Sequence, residues 1–347
     1  MNEVKPKYWD NASTTFCKKE VVEAMLPYFN KVFGNASSQH ILGKKAKAGV
    51  DAARTKVANL INADANQVYF TSGSTESINW LLKGYVLNPK NNCNHIITAR
   101  TEHKAVLETC EYLEELGIEV SYVDLDENGV VIEESLLKCL SEDYKSLVCL
   151  MHVNNETGVI QDIKRLVEIS KSNNPVFFSD GTQAAGKIEV DVEDLGVDFY
   201  CYSSHKIHGP KGVGMLYQKQ QGNLIPLLHG GSQEKGERAG TYNTAGIVGF
   251  GAAAEIANNE LTEKFNKAIA QKENIINQLN VKELFTKANK SPYILSVEVE
   301  EDEQEYLMKN TRNFIASTGS ACNASLMEKS HVLKELKLYS NIVRFSL

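Results

Sequence analysis

The sequence predicts an α/β fold: a large domain with a mostly parallel sheet covered by helices, plus a smaller α+β C-terminal domain. Three observations carry this. The chain has 347 residues, 42% of them hydrophobic, which is enough for a large core and for two domains or one big one. Between about residues 65 and 220, short apolar stretches alternate with segments of helical periodicity. Several of the stretches are apolar without a break, so they need cover on both faces, as parallel strands do.

In chain order, Gln67-Val68-Tyr69-Phe70 reads as a short strand and Glu76–Val86 as a helix. His95-Ile96-Ile97-Thr98 is a strand, and Ala105–Leu116 carries apolar residues at helical spacing. Val120–Val123, the helix Glu133–Leu140, the strand Leu147–Met151, the helix Ile163–Ser170 and the strand Val176–Phe178 continue the alternation. Val197–Tyr202 and Val213–Tyr217 are strands separated by a Gly-Pro turn. Beyond Gly249 the character changes. One long helical segment is expected from about Thr244 to Leu279, then a strand over Tyr293–Val299, an acidic run from Glu298 to Glu305 that reads as a solvated face, and a strand-like Ile342–Leu347.

Net charge of −7 and a pI near 5.7 argue against nucleic acid or an anionic membrane as the main partner. No run approaches the ~18 apolar residues of a transmembrane helix, and the polar start Met1–Lys7 predicts no signal peptide, hence a cytoplasmic protein. Seven scattered cysteines without a C-x-x-C pair predict free thiols and no metal centre.

Ligands of open α/β sheets sit beyond the carboxyl ends of the strands, so the residues following each strand are the candidates. After Phe70, Thr71-Ser72-Gly73-Ser74-Thr75-Glu76 opens into a helix; its N–H groups with the Ser74 and Thr75 hydroxyls suit a phosphate, or merely cap the helix. After Thr98, His103 either stacks on an aromatic ring and shuttles protons, or caps a helix. After Val153, the polar run Asn154–Gly158 offers donors to a phenolic oxygen, or is an ordinary turn. After Phe178, Asp180 suits a protonated pyridine nitrogen, or is a surface turn residue. Lys206, in Ser203-Ser204-His205-Lys206, ends a buried strand, where desolvation makes an amine nucleophilic enough for a Schiff base; the alternative is a hairpin surface charge. Together these groups describe a pyridoxal 5′-phosphate (PLP) site. Two residues lie further on. Cys322 sits in a run of small and polar residues, Ser317–Ser325, that reads as a mobile loop, whereas the other six cysteines lie in or beside apolar segments. Arg344 can hold a substrate carboxylate or form a salt bridge.

With these residues in view, the chain resembles the cysteine desulfurases of the NifS/IscS type, within the fold-type I PLP enzymes. The resemblance runs from Tyr8-Trp9-Asp10-Asn11-Ala12 to the last residue and includes His152–Gly158, Asp180-Gly181-Thr182-Gln183, Ser203–Lys206, Arg238-Ala239-Gly240-Thr241 and Gly319-Ser320-Ala321-Cys322. It implies a large cofactor-binding domain over residues 13–250, and a small domain from 1–12 and 251–347 that carries the mobile cysteine loop. It implies that Lys206 holds the cofactor covalently and moves the substrate α-proton. Ser74, Thr75, Ser203 and His205 hold the phosphate, and Thr241 reaches that of a neighbouring subunit, making a homodimer. His103 stacks on the ring and is the expected general base for the Cys322 thiol. Asp180 pairs with the ring nitrogen, Asn155 and Gln183 contact the ring oxygen or substrate, and Arg344 binds the substrate carboxylate. Cys322 takes sulfur from L-cysteine as a persulfide, leaving L-alanine, and passes it to an acceptor protein such as an iron–sulfur assembly scaffold or a thiolation factor.

Three departures from the family pattern stand out. Gly181 replaces a common alanine, Lys329 stands where a proline usually precedes Ser330, and the chain stops at Leu347 where relatives commonly continue, so either the chain is shortened or its acceptor differs from the usual tail-docking one. A selenocysteine lyase or a transaminating relative would share the cofactor groups. Cys322 discriminates, because transamination needs no thiol.

Overall fold

The computed structural model describes residues 6–140, 145–300, 302, 304, 307, 314–318 and 330–347. The loop around Cys322 and part of the acidic run lie outside the described residues. In chain order the strands are β1 (Lys7–Tyr8), β2 (Val68–Thr71), β3 (Cys93–Ala99), β4 (Glu119–Val123), β5 (Lys145–Cys149) and β6 (Val176–Asp180). They continue with β7 (Phe199–Ser203), β8 (Gly214–Gln218), β9 (Lys282–Glu283), β10 (Ile294–Val299), β11 (Phe314–Ile315) and β12 (Asn341–Ser346).

Seven strands form one sheet in the order β2-β8-β7-β6-β5-β3-β4. Only β8 runs against the others, pairing antiparallel with both β2 and β7, so the sheet is mostly parallel as expected. Alternate residues of each strand enter separate cores. Phe70, Ile97, Val148, Phe177, Tyr200 and Met215 pack on one face with helices Ile41–Asn59 and Thr244–Asn259. Tyr69, Ile96, Leu147, Phe178, Cys201 and Leu216 pack on the other with Ser74–Val86 and Lys104–Glu115. Burial on both faces is why these strands are continuously apolar.

The single helix expected over 244–279 is two, Thr244–Asn259 and Leu261–Leu279. The backbone leaves helical geometry at Glu260 (φ −98°, ψ 2°). Its carboxylate there receives Lys18 at 2.6 Å and Lys264 at 3.0 Å, tying the break to the N-terminal region. A second, antiparallel sheet, β12-β10-β9, builds a third core. Trp9 stacks on Phe314 and meets Phe345 edge-on there, so the N-terminal segment at Trp9 packs with the last strand.

Candidate active site

From β3 the chain continues to β4 on one side, while β5 lies on the other, which makes the carboxyl ends of β3 and β5 the place where strand order reverses. A cavity of about 540 Å³ opens there, lined by Ser74, Thr75, His103, Asn155, Asp180, Gln183, Ser203, His205, Lys206 and Arg344. Residues from five strand ends and from the last strand are thus brought to one place. Two expected site residues are not among them. Thr241 is exposed and does not line this cavity, and Cys322 lies outside the described residues.

At one end of the cavity, helix Ser74–Val86 starts at Gly73 without any side-chain cap. The hydroxyls of Ser74 and Thr75 are therefore not consumed as N-caps. Ser203 Oγ accepts from Ser74 N at 2.8 Å, and Ser74 Oγ lies 2.9 Å from Ser203 Oγ and 2.7 Å from Thr182 Oγ1. Three hydroxyls from three turns thus crowd the positive end of a 13-residue helix, an arrangement suited to an anion. His205, whose Nδ1 lies 3.1 Å from Thr14 Oγ1, is pushed down to about 4 by burial and by Lys206, Lys211 and Lys187, so it is neutral at pH 7. The segment carrying Thr241 is anchored beside this turn, because Arg238 grips Glu76 through Nε (2.7 Å) and Nη2 (2.9 Å) while Ser72 N donates to the same carboxylate.

In the middle of the cavity Asp180 ends β6, 6% exposed. Its Oδ1 accepts from Thr182 N at 2.9 Å and lies 3.7 Å from the Cys201 thiol. His103 both lines the cavity and caps helix Lys104–Glu115, its Nδ1 accepting from Ala105 N at 3.0 Å. Burial outweighs the pull of Asp180 and, with Lys206 and His331, lowers its pKa, so the ring is neutral. With Nδ1 used as the cap acceptor, the proton of the neutral ring is on Nε2. In this geometry the one basic lone pair faces the helix, and the expected base role requires giving up the cap.

Lys206 sits in a one-turn 3₁₀ segment, Ser204–Lys206, directly after β7. Its Nζ donates to Ala12 O at 2.5 Å and Ser13 O at 2.8 Å. It points inward, not to a hairpin surface. Arg344, on β12, is 2% exposed and donates to Asp10 Oδ1 (2.7 Å), Ser13 Oγ (3.1 Å) and Asn155 O (3.0 Å). The salt-bridge reading of Arg344 holds: Nη1 and Nη2 bind Asp10, Ser13 and Asn155 O, Nε is buried with no partner among the described residues, and the residue lines the cavity.

Several groups escaped the reading of strand ends. Thr182 joins the hydroxyl cluster, Asp10 holds Arg344, and Lys187 is a buried lysine that donates to Gln183. Glu102, 1% exposed, binds Met151 N at 2.7 Å and is held well above the usual carboxylate range by burial, reinforced by Asp180. Thr182 and Glu102 lie beside residues already singled out and were within reach of the sequence. Nothing in the sequence marks Lys187 as buried. Gly181, by contrast, now has a cause: the Tyr200 ring fills the space a Cβ would take, 2.0 Å from its Cε1 and Cζ.

The chain matches the family model described as aminotransferase class-V over residues 7–347. It is 42% identical to the cysteine desulfurase IscS of Methanosarcina thermophila, over 99% of this chain and 87% of that protein. It is 39% identical to the one from Dictyoglomus turgidum, over 98% and 89%. Among solved structures it superposes on a NifS-like protein (TM-score 0.88, 36% identity, covering 99% of this chain and 93% of that one). It superposes equally on SspA in complex with cysteine (TM-score 0.88, 33% identity, 98% of each chain). The donor set fits PLP. Hydroxyls and helix N–H groups suit its phosphate, the Asp180 carboxylate its pyridine nitrogen, and the Lys206 amine its aldehyde. On this match along nearly its whole length, the chain belongs to the class-V aminotransferase family of PLP-dependent enzymes.

Proposed function

We propose that this protein is an L-cysteine desulfurase that uses PLP to yield L-alanine and leave the sulfur as a persulfide on Cys322. The observation that carries the reading is the convergence of Lys206, Asp180 and the buried Arg344 on one cavity, in a chain similar end to end to cysteine desulfurases. Arg344, in the cavity wall, holds the substrate carboxylate. Lys206 moves the proton at the substrate Cα, and Asp180 keeps the ring nitrogen protonated. Bound PLP supplies the electron sink for the bonds broken at the substrate. His103 packs on the ring, with Nε2–H as a donor. The Cys322 sulfur attacks the substrate sulfur; an S–S bond forms, the Cβ–S bond breaks, its electron pair returns toward Cβ, and protonation at Cβ with return of the Cα proton from Lys206 completes alanine.

The other cysteines support this choice of thiol. Burial raises the pKa of all six, with Cys93 pushed up to about 11 and Cys110 to about 12, so none is a thiolate at neutral pH. Residues 13–250 are read as the cofactor domain, and 1–12 with 251–347 as the smaller one. A homodimer in which Thr241 completes the partner's phosphate site agrees with its exposure. It agrees too with four large apolar side chains, Phe16, Phe29, Phe33 and Ile41, each 64–66% exposed within one N-terminal segment. Among the described residues no helix is long and apolar enough to cross a membrane. We read the protein as cytoplasmic and its product as passed to an acceptor protein, iron–sulfur assembly being the use inferred. Alanine and sulfide are measured from L-cysteine with wild type and Cys322→Ala: turnover is expected to fall to background in the variant while its cofactor absorbance persists. Full activity in Cys322→Ala sinks the persulfide reading.

A further inference from the structure

Lys187 is a buried lysine behind the cavity-lining Gln183 for which the proposed reaction has no use. It follows Asp180-Gly181-Thr182-Gln183 in the turn after β6, is 6% exposed, and donates through Nζ to Gln183 Oε1 at 2.5 Å. Among the described residues no carboxylate pairs with it. The charged groups that act on it are Lys206 and Arg344, both cationic, and burial with these two neighbours brings it down to about 7. A solitary amine so placed is costly, and an apolar side chain of similar length would fill the space at less cost. A cost of this kind points to a role.

That role is visible in its one side-chain partner among the described residues, Gln183. Gln183 has one carbonyl oxygen and one amide nitrogen, and which of the two faces the cavity decides whether the residue donates or accepts there. Gln183 Nε2 donates to Ala12 O at 2.9 Å, the same carbonyl that receives Lys206 Nζ. Lys187 occupies the other end. With Oε1 held by an N–H donor, the amide cannot flip, and its remaining N–H is left for whatever lies in the cavity. A donor on Oε1 also polarises the amide and strengthens Nε2–H as a donor.

We propose that Lys187 is a positioning residue for the cofactor: it fixes the Gln183 amide so that only N–H donors face the cavity, where they serve the anionic ring oxygen of PLP. The inference rests on the cofactor reading, and the two fail differently. If wild type shows no saturable visible absorbance with PLP, the cofactor reading falls. If wild type binds normally, the variants below test Lys187 alone.

The test is spectroscopic. Purified apoprotein is titrated with PLP, and the visible band is followed against pH for wild type, Lys187→Met, Lys187→Gln, Gln183→Ala and the Lys187→Met/Gln183→Ala pair. In Lys187→Met the PLP Kd is expected to rise about tenfold. The pH midpoint of the band is expected to move up by several tenths to about one unit, because a weaker donor leaves the ring oxygen more basic. Lys187→Gln, which keeps an N–H donor, is expected to recover most of both. In the Gln183→Ala background Lys187→Met is expected to add nothing further. A merely structural lysine would change thermal stability and leave the midpoint in place. The proposal is overturned if Lys187→Met keeps the wild-type midpoint, if Gln and Met behave alike, or if the shift is as large without Gln183. Should Lys187→Met not fold, the decision passes to Lys187→Gln with and without Gln183→Ala, where an additive loss overturns it.

Discussion

Gly181→Ala is expected to destabilise the protein by about 4 kcal/mol, although alanine is the smallest change a glycine can undergo. Gly181 has no positive φ to protect, so backbone strain is not at issue. Space is. An added Cβ meets Tyr200 Cε1 and Cζ at 2.0 Å and its Oη at 2.2 Å, and carbon pairs settle at about 3.5–4 Å. The ring would have to withdraw by roughly 1.5 Å, yet Tyr200 is fully buried. Overpacking of this kind costs ~1–3 kcal/mol. Withdrawal also breaks the 2.9 Å contact between Tyr200 Oη and His152 Nδ1, stranding two buried polar atoms at a further ~1–3 kcal/mol. Urea unfolding of cofactor-loaded protein at fixed concentration gives the measurement, and Tyr200→Leu supplies the control. Because Leu vacates the ring's space, Gly181→Ala should cost almost nothing more in that background. If Gly181→Ala lies within 0.5 kcal/mol of wild type, or if the two losses add, the steric account is refuted.

Glu234→Ala should cost ~3–5 kcal/mol in the same assay, because Glu234 receives both Nη atoms of Arg54 (2.7 and 2.6 Å) and Phe70 N (2.8 Å) while 3% exposed. His152 is pushed from its usual 6.5 to about 4 by burial, so between those values the unfolded state binds the extra proton. Its contribution is complete above about 6.5 and is lost as pH falls toward 4. The urea midpoint of His152→Gln should therefore fall less steeply over that window than that of wild type. Arg344→Lys keeps the charge but not the fork, and should raise KM for L-cysteine at least ~10-fold with a smaller change in kcat; an unchanged KM removes Arg344 from the substrate. Lys206→Ala should abolish the visible band of bound PLP, and a band that survives means the amine is not its attachment point.

The sheet and most of the cavity were legible in the sequence for one physical reason. Strands buried on both faces must be apolar throughout, and in a parallel sheet their carboxyl ends share an edge, so the residues following Phe70, Thr98, Phe178 and Tyr202 had to converge. Element ends followed less closely. The helix expected from Glu76 begins at Ser74, which places the two hydroxyl residues in its first turn. The break at Glu260 depends on Lys18, 242 positions away, and periodicity carries no trace of such a partner.

What the sequence determined by itself was the list of chemical groups and the edge at which they meet. Periodicity and residue type are local, and they suffice to place a lysine, an aspartate and a hydroxyl-rich turn at the ends of buried strands. What only the tertiary structure decided was what each group is bound to. Lys206 donates to a carbonyl 194 positions before it, and Arg344 to a carboxylate 334 positions before it. The His103 ring spends its lone pair on a cap, and Lys187 is buried without a counter-charge among the described residues. Protonation state and direction of donation follow from burial and from partners distant in sequence, and those exist only once the chain has folded.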